Sequence, residues 1–352
     1  MNARISVCIP AYNRPEQLRS LLDSIVSQKS SDYDIVICED DSPCRIQIHN
    51  VVKSYQAEYP ELIQYHENKF NLGYDGNIRE LFTKATGEYC MFMGNDDLLA
   101  EGALEAVAAA LNRYRHIGVI MRSYATFDKA PRNIIQIHRY FESERYFPAG
   151  PDTVATFFRR MVVLSGLVIH RNCALKYCKP IFEGTLLYQL YLTANVLLDM
   201  DGIFVPDVLA LYRLGASPDF GKSLAEREKF TPGKQTPESS VSFVRGFLEI
   251  ARHVDKIRCV KIYKRVLYDM GNYAYPILAI QARQQPFAKF LRYIYNLEKI
   301  GFWRSVSFQA YFLCLLALGP NRMDKLIGWI KKRFGYTPMI GKVFRGINRL
   351  GN

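Results

Sequence analysis

Acidic residues are scarce in the last third of this 352-residue sequence. Residues 232–352 contain 21 Lys and Arg against 6 Asp and Glu, a net charge of +15, whereas residues 1–231 contain 25 against 28, a net charge of −3. The positive excess therefore belongs to the C-terminal third, where it favours contact with an anionic surface or an acidic substrate. Because no zinc-finger spacing, RNA-binding signature or dense basic arm accompanies it, we expect no nucleic-acid partner.

Cysteine patterns for metal binding or disulfides are also missing. The sequence has 8 cysteines but no CxxC pair and no Cys/His cluster at zinc spacing. Cys8, Cys38 and Cys90 lie inside apolar, strand-like segments, which predicts reduced and mostly buried thiols. No secretory apolar region with a cleavage site precedes the first strand, so we expect a cytoplasmic protein.

A membrane-spanning helix needs about 20 consecutive apolar residues, and no apolar run in this sequence is that long. The most apolar run, VSFQAYFLCLLALG (306–319), has 14 residues. Two later segments, MDKLIGWIKKRFGY (323–336) and GKVFRGINRL (341–350), combine aliphatic and aromatic residues with Lys and Arg. This composition predicts helices that lie on an anionic membrane, with the protein peripheral on the inner face of the cytoplasmic membrane. The alternative is a helical bundle whose basic face is only solvated.

The first 120 residues alternate short apolar segments with amphipathic ones. The strand-like segments are 5–13, 34–41, 62–68 and 88–94, and the helical segments are 15–28, 45–58, 75–86 and 100–114. Repeated strand–helix units with near-continuous apolar strands predict an α/β fold with a doubly wound, mostly parallel sheet that is covered on both faces.

The pattern changes further along the chain. Residues 117–215 mix strand-like and helical segments, and from about 237 onward only helices are indicated. Between them, KFTPGKQTPESS (229–240) contains two prolines, a glycine and several hydroxyl residues, which makes it the best candidate for a boundary. We predict one domain over residues 1–230 and a basic helical region over residues 231–352.

Polar residues collect where the predicted strands end. Four strands end in PAYN (10–13), CEDDS (38–42), HENKFN (66–71) and MGNDD (93–97). Ligands of doubly wound sheets bind outside the carboxyl ends of the strands, so this edge is the predicted site. Asp96 and Asp97 suit a hard divalent cation that carries a phosphorylated substrate. The alternative is that Asp96 caps the next helix.

Taken in order, these motifs resemble the opening of family-2 glycosyltransferases, which have the GT-A fold. The resemblance is carried by ISVCIPAYNRPEQLRSLLDSIVSQ, ICEDDS, ENKFNLGYDGN and KATGEYCMFMGNDD; it covers residues 4–105 well and 106–215 loosely. Within the family, the N-x-G-x-x-x-N pattern of Asn71, Gly73 and Asn77 is similar to enzymes that add sugars such as abequose to O-antigen.

The resemblance implies a hexosyl- or deoxyhexosyltransferase with an inverting mechanism. It would move a sugar from a nucleotide-diphosphate donor to a hydroxyl of a lipid-linked saccharide, in the synthesis of bacterial lipopolysaccharide, O-antigen or another surface polysaccharide. Asp96, with Asp97 beside it, would hold Mg²⁺ or Mn²⁺ on the diphosphate. Gly94 and Asn95 stand where relatives carry acids, so strict metal dependence does not follow.

The resemblance also implies which residues contact the nucleotide. Tyr12 would offer an aromatic face to the base, an acid at the end of the second strand would accept from the base or ribose, and Arg213, in LYRLGAS (211–217), would neutralise the diphosphate. The amides that begin the helix after Gly73 would meet a phosphate. The full set is Pro10, Ala11, Tyr12, Asn13, Glu39, Asp40, Asn71, Gly73, Asn77, Asn95 and Arg213.

The general base implied by the resemblance is Glu183, in FEGTLLYQL. Gly184 follows it where the family usually has an Asp, so Asp152, Asp199 and Asp201 remain possible substitutes.

There are two rival functions, and the sequence disfavours the first of them. A sugar-nucleotide pyrophosphorylase would need a Gly- and Arg/Lys-rich loop after the first strand, and PAYNRPEQL is not such a loop. A catalytically inactive nucleotide- or glycan-binding subunit would explain the absent acids at Gly94, Asn95 and Gly184, and it would bind nucleotide without transferring a sugar.

Overall fold

The computed structural model describes residues 4–215 and 219–334. The chain forms two compact units, Met1–Lys234 and Gln235–Asn352. The sequence predicted a division between residues 230 and 231, within the same Pro- and Gly-containing stretch.

The first unit is built on a ten-stranded sheet. The strands are β1 (Ile5–Ala11), β2 (Tyr33–Glu39), β3 (Ile63–Glu67), β4 (Tyr89–Phe92), β5 (Leu98–Leu99), β6 (Ile117–Phe127), β7 (Ile134–His138), β8 (Arg145–Phe147), β9 (Leu167–His170) and β10 (Asp201–Arg213). Their order in the sheet is β3-β2-β1-β4-β9-β6-β10-β5, with β7 beside β6 and β8 beside β10. Strands β1 to β4 pair in parallel, and so do β6 and β10. Strand β9 runs antiparallel between β4 and β6. The sheet is therefore mixed, and its parallel part carries the predicted edge.

Helices cover this sheet. They are α1 (Pro15–Val26), α2 (Arg45–Glu58), α3 (Gly73–Lys84), α4 (Ala103–Arg113), α5 (Pro151–Phe157), α6 (Arg171–Leu175) and α7 (Tyr188–Asp199), with a short 3-10 helix at Phe158–Met161. Every residue of β2 is buried, as expected for a parallel strand packed on both faces. In α1, the buried residues Leu18, Leu21, Leu22 and Ile25 recur at helical spacing and join the core cluster. The predicted α/β architecture is confirmed.

The second unit is helical, and the predicted C-terminal helical region is confirmed. It contains α8 (Pro237–Arg258), α9 (Tyr263–Asn272), α10 (Tyr275–Gln284), α11 (Phe287–Ile300), a short 3-10 helix (Phe302–Arg304) and α12 (Val306–Phe334). Gly319, at φ 71° and ψ 164°, interrupts α12 directly before Pro320. Among the helices of the described residues, none combines the length and the apolarity that crossing a bilayer requires. The segment GKVFRGINRL lies outside the described residues.

Candidate functional site

The acidic loop Gly94–Asp97 lies at the carboxyl end of β4. It is a tight turn, because the Asp97 amide donates to the Gly94 carbonyl at 3.1 Å. The next element is β5, and helix α4 begins only at Ala103, with Gly102 as its cap residue. Asp96 therefore does not cap a helix, and that alternative is wrong.

The two adjacent carboxylates of this loop have different surroundings. The side chain of Asp97 is turned inward: it is 3% exposed and accepts hydrogen bonds from the Ser165 hydroxyl and, at 2.9 Å, from the Arg213 amide. Burial, followed by the nearby charge of Asp96, raises the pKa of Asp97. The Asp96 carboxylate is only partly buried and pairs with Arg14, at 2.5 Å between Nη1 and Oδ2.

Residues from three distant segments fix the acidic loop. The Ser165 hydroxyl, in the turn before β9, accepts from the Gly94 amide at 2.9 Å. Arg213, at the end of β10, donates from Nε to the Asp96 carbonyl at 2.8 Å. Asn95 donates to the carbonyls of Tyr12 and Asn13, both at 3.1 Å. The structure thus brings together six of the predicted residues: Tyr12, Asn13, Asn95, Asp96, Asp97 and Arg213.

The fit of a metal ion to this loop depends on Asp96. No group of three or more His, Cys, Asp or Glu side chains in the described part of the chain is arranged to hold a metal. Both oxygens of Asp97 are engaged by the protein. A Cβ at Gly94 would lie 3.2 Å from an Asp97 oxygen. An acid at position 94 would therefore place a third negative charge close to those of Asp96 and Asp97. One carboxylate suits Mg²⁺ or Mn²⁺ when ligand phosphates supply further oxygens.

A second group of predicted residues surrounds the start of α3. The Asp40 carboxylate accepts from the amides of Leu72 and Gly73, both at 2.9 Å, and burial raises the pKa of Asp40 to about 6 in spite of these bonds. The amide of Tyr74 donates to Glu226 at 2.7 Å. Protein carboxylates therefore already occupy the amides that the sequence predicted to meet a phosphate.

The remaining members of this second group also bond within the protein. Glu39 is fully buried and accepts from the Ser42 amide at 2.7 Å and from Arg45 Nε at 2.5 Å. Asn71 accepts from the Gly73 amide at 2.9 Å, and Asn77 donates to the Cys38 carbonyl at 2.9 Å. Pro10 and Ala11 lie beside Cys38 and Glu39 in the β1–β2 register. Nucleotide contact by these residues stays a prediction.

The segment Asp219–Phe230, after β10, contributes residues that the sequence had not indicated. Asp219 accepts from Asn13 at 3.3 Å and pairs with Arg14 at 3.3 Å. The ammonium of Lys222 lies 5.1 Å from the centre of the Tyr12 ring. Arg14 directly follows the P-x-Y-N motif, which is the one sequence signal that could have identified it. Ser217, in the predicted motif LYRLGAS, lies outside the described residues.

Glu183 pairs with Arg79, at 2.7 Å between Oε1 and Nε, and makes no hydrogen bond to either group of predicted residues in the described part of the chain. It lies between two residues with positive φ, Phe182 at 62° and Gly184 at 76°. A Cβ at Gly184 would lie 1.9 Å from the Ala225 carbonyl, so only glycine fits this close approach.

The three substitutes for Glu183 lie elsewhere. Asp201 is the first residue of β10 and pairs with Ile117, the first residue of β6, so it lies at the amino ends of both strands. Asp199 is the last residue of α7, just before β10. Asp152 is in the first turn of α5, whose preceding residue, Gly150, donates its amide to the Leu197 carbonyl near the end of α7. These acids are at the opposite edge of the sheet from the acidic loop.

The sequence model for "Glycosyl transferase family 2" matches residues 6–178. A stretch of 108 residues is 37% identical to the abequosyltransferase RfbV of Salmonella typhimurium, covering 31% of this chain and 32% of that protein. A stretch of 115 residues is 28% identical to the GalNAc(5)-diNAcBac-PP-undecaprenol beta-1,3-glucosyltransferase of Campylobacter jejuni, covering 32% and 37%. The chain spans between 31% and 45% of the length of the first three curated relatives.

Solved structures share the fold. TarS 1–349 of S. aureus in complex with UDP-GlcNAc superposes with a TM-score of 0.62 at 16% identity, covering 85% of this chain and 80% of that one. The mannosyltransferase PcManGT of Pyrobaculum calidifontis, in complex with GDP-Man and Mn²⁺, superposes with a TM-score of 0.50 at 16% identity, covering 91% and 87%. Residues 6–178, which contain the first strands and the acidic loop, match the model of glycosyl transferase family 2.

Proposed function

We propose that this protein is a glycosyltransferase that moves a sugar from a nucleotide-diphosphate donor to a hydroxyl of a lipid-linked saccharide during bacterial surface polysaccharide synthesis. The observation that carries the proposal is the convergence of Asp96, Arg14 and Arg213 at the carboxyl end of β4, beside Tyr12. The family match and the names of the relatives support sugar transfer, and the undecaprenol in one of those names supports a lipid-linked acceptor.

The leaving group of this reaction is a nucleoside diphosphate, which gains negative charge as the bond to the sugar breaks. Two guanidinium groups, those of Arg14 and Arg213, lie at the acidic loop and would pair with that charge. A divalent cation held by Asp96 and the phosphates would supply further charge stabilisation. The ring of Tyr12 would stack on the base, in the place where Lys222 now lies over it.

The acceptor hydroxyl must lose its proton as it attacks the sugar. In a direct displacement, the acceptor oxygen forms a bond to the anomeric carbon while the bond from that carbon to the phosphate oxygen breaks, which inverts the configuration. Glu183 would take the hydroxyl proton, and Arg79 orients its carboxylate.

Calorimetry tests the donor site directly. UDP, CDP, GDP and TDP are titrated with and without Mn²⁺ into the wild type, Asp96→Ala and the control Asp207→Ala, which removes an exposed acid of β10. The proposal expects one nucleotide to bind with Mn²⁺, Asp96→Ala to weaken that binding at least tenfold, and the control to match the wild type. Binding that ignores both Mn²⁺ and Asp96 would contradict the proposed site.

The rival is a catalytically inactive nucleotide-binding subunit, which Gly94, Asn95 and Gly184 favour. The wild type is incubated with a lipid-linked acceptor and with the nucleotide sugar that carries the nucleotide found to bind. This assay distinguishes the enzyme from the inactive subunit. Sugar transfer supports the enzyme, and binding without transfer supports the rival.

The second unit supports a membrane-associated acceptor, through an apolar face on the first half of α12. Phe308 and Leu315 are buried, whereas Val306 and Leu313 are 81% and 60% exposed. The exposed apolar residues of this half-helix are Val306, Ala310, Leu313, Leu316, Ala317 and Leu318. A solvated bundle would instead turn such residues inward.

Basic residues flank the apolar face of α12. Arg304 precedes it, Arg322 and Lys325 follow it, and all three are exposed. Aliphatic residues that enter the interfacial region and cations that meet lipid phosphates are the pattern of peripheral binding to an anionic membrane. We therefore include the inner face of the cytoplasmic membrane as the site of action in this proposal.

A further inference from the structure

The side chain of Asp75 connects α3 to a distant loop. Asp75 belongs to the first turn of α3 and is 1% exposed. Its Oδ2 accepts from the amides of Thr185 and Leu186, both at 2.8 Å, and its Oδ1 accepts from the amide of Tyr188 at 2.9 Å. One buried carboxylate therefore receives three backbone hydrogen bonds from residues more than a hundred positions away.

These bonds replace a cap that α7 lacks. The residue before α7 is Leu187, whose side chain makes no capping bond. Helix N-termini leave their first amides without partners, and a carboxylate there also suits the positive end of the helix dipole. Asp75 is thus the cap of α7, supplied from α3 and not from the local sequence.

The segment that Asp75 holds contains backbone conformations that residues other than glycine rarely adopt. Phe182 and Leu186 both have φ of 62°, in the left-handed region that side chains other than glycine rarely adopt. Such conformations persist where surrounding contacts hold them. The carboxylate of Asp75 supplies contacts on both sides of Leu186, at Thr185 and at Tyr188.

Arg79 acts on the same segment from one turn further along α3. Residues four apart lie on the same face of a helix, and Arg79 donates to Glu183 at 2.7 Å. Asp75 fixes the backbone just after Glu183, and Arg79 fixes its carboxylate. The face of α3 that carries these two residues thus determines where the Glu183 carboxylate lies.

We propose that Asp75 is a positioning residue for glycosyl transfer, which holds the segment Phe182–Tyr188 so that Glu183 meets the acceptor hydroxyl. This inference rests on the proposed function, in which Glu183 is the general base. A carboxylate that served folding alone would stabilise the chain without any effect on turnover.

The test compares Asp75→Asn with a matched variant, Asp255→Asn. Asparagine has the size of aspartate but presents an NH₂ donor where an amide donor already points. Asp255 caps α9 in the same way, since it accepts from the amides of Ile262 at 2.6 Å and Tyr263 at 3.1 Å. Both variants lose a carboxylate cap, and only one of these caps belongs to the Glu183 segment.

Three quantities are measured well below both melting temperatures: kcat, the donor KM, and amide hydrogen exchange of peptides that cover residues 182–190. Asp75→Asn is expected to lower kcat at least tenfold, to leave the donor KM within twofold, and to speed exchange in these peptides. Asp255→Asn is expected to leave all three unchanged. Unchanged kcat or exchange in Asp75→Asn, or an equal loss of kcat in Asp255→Asn, would overturn the inference.

A second variant covers the case in which Asp75→Asn does not fold. Arg79→Gln removes the other contact from α3 and leaves the cap intact, so kcat should fall at least tenfold with exchange unchanged; full activity would overturn the role of α3.

If the wild type transfers no sugar, the proposed function fails. Exchange in residues 182–190 then decides alone whether Asp75 holds this segment: faster exchange in Asp75→Asn supports it, and unchanged exchange overturns it.

Discussion

Arg14 forms an ion pair with Asp96 and, through its other terminal nitrogen, a second one with Asp219 at 3.3 Å. The guanidinium thus joins the acidic loop to the segment that follows β10. Its charge compensates Asp96, the carboxylate that we propose as the metal ligand. A cation at Asp96 must therefore compete with Arg14, unless a diphosphate arrives with the cation and gives the guanidinium a new anionic partner.

Removal of Arg14 should change two affinities in opposite directions. In Arg14→Gln, Asp96 loses its cation, so Mn²⁺ should bind more tightly without nucleotide, by severalfold. The nucleoside diphosphate loses a guanidinium partner and should bind at least tenfold more weakly in the presence of Mn²⁺. Calorimetry measures both. Arg19→Gln, on the exposed face of α1, is the control, and a parallel change of both affinities in Arg14→Gln would contradict the competition.

Asp97 should tolerate asparagine, whereas Asp96 should not. In Asp97→Asn the amide oxygen can accept from the Arg213 amide, and the NH₂ group can donate to the Ser165 hydroxyl, which is able to reverse its role. We expect metal-dependent nucleotide binding within a fewfold of wild type, and its loss in Asp96→Asn. Asp97→Ala would leave these groups without partners and should cost about 1–3 kcal/mol in the free energy of unfolding. Loss of metal dependence in Asp97→Asn would instead make Asp97 a metal ligand.

Asp40 should make the free energy of unfolding depend on pH. Burial raises the pKa of its carboxyl from 3.8 to about 6, so the folded protein retains a proton that the unfolded chain has lost over this interval. Its contribution to stability is therefore largest below pH 4 and decreases as pH rises through 6, by about 3 kcal/mol in all. Urea unfolding at several pH values should show that the stability of wild type relative to Asp40→Asn falls between pH 4 and pH 7. A constant difference would show that folding leaves the pKa of Asp40 unchanged.

The apolar face of α12 should bind anionic vesicles. The double variant Leu313→Asp and Leu316→Asp loses two exposed leucines, each worth about 1.5–3 kcal/mol when fully buried, and gains two charges that anionic lipid repels. We expect at least a tenfold loss of flotation with phosphatidylglycerol vesicles, and little binding of the wild type to phosphatidylcholine alone. Ile46→Asp, at an exposed position of α2, is the matched control. Equal flotation of wild type and double variant would leave the basic residues alone as the membrane contact.

Much of the architecture followed from local patterns. Continuous apolar segments such as that of β2 predicted buried strands, and the spacing of Leu18, Leu21, Leu22 and Ile25 predicted the buried face of α1. The polar residues that follow the apolar segment of β4 predicted the acidic loop. These features depend on residues close in sequence, which is why a single sequence reveals them. The antiparallel insertion of β9 between β4 and β6 was not predicted, because strand pairing joins segments that lie far apart in the chain.

The sequence alone determined the α/β class, the helical C-terminal region and the edge of the sheet where polar residues collect, since each depends on periodicity and strand ends. Only the tertiary structure decided that Asp97 turns inward to Ser165 while Asp96 faces Arg14, because neighbouring carboxylates are oriented by partners on other elements. It also decided that Asp75, an ordinary acid in the first turn of a helix, caps α7 more than a hundred residues away. A side chain gains such a role from the donors that folding brings to it, and no local pattern records them.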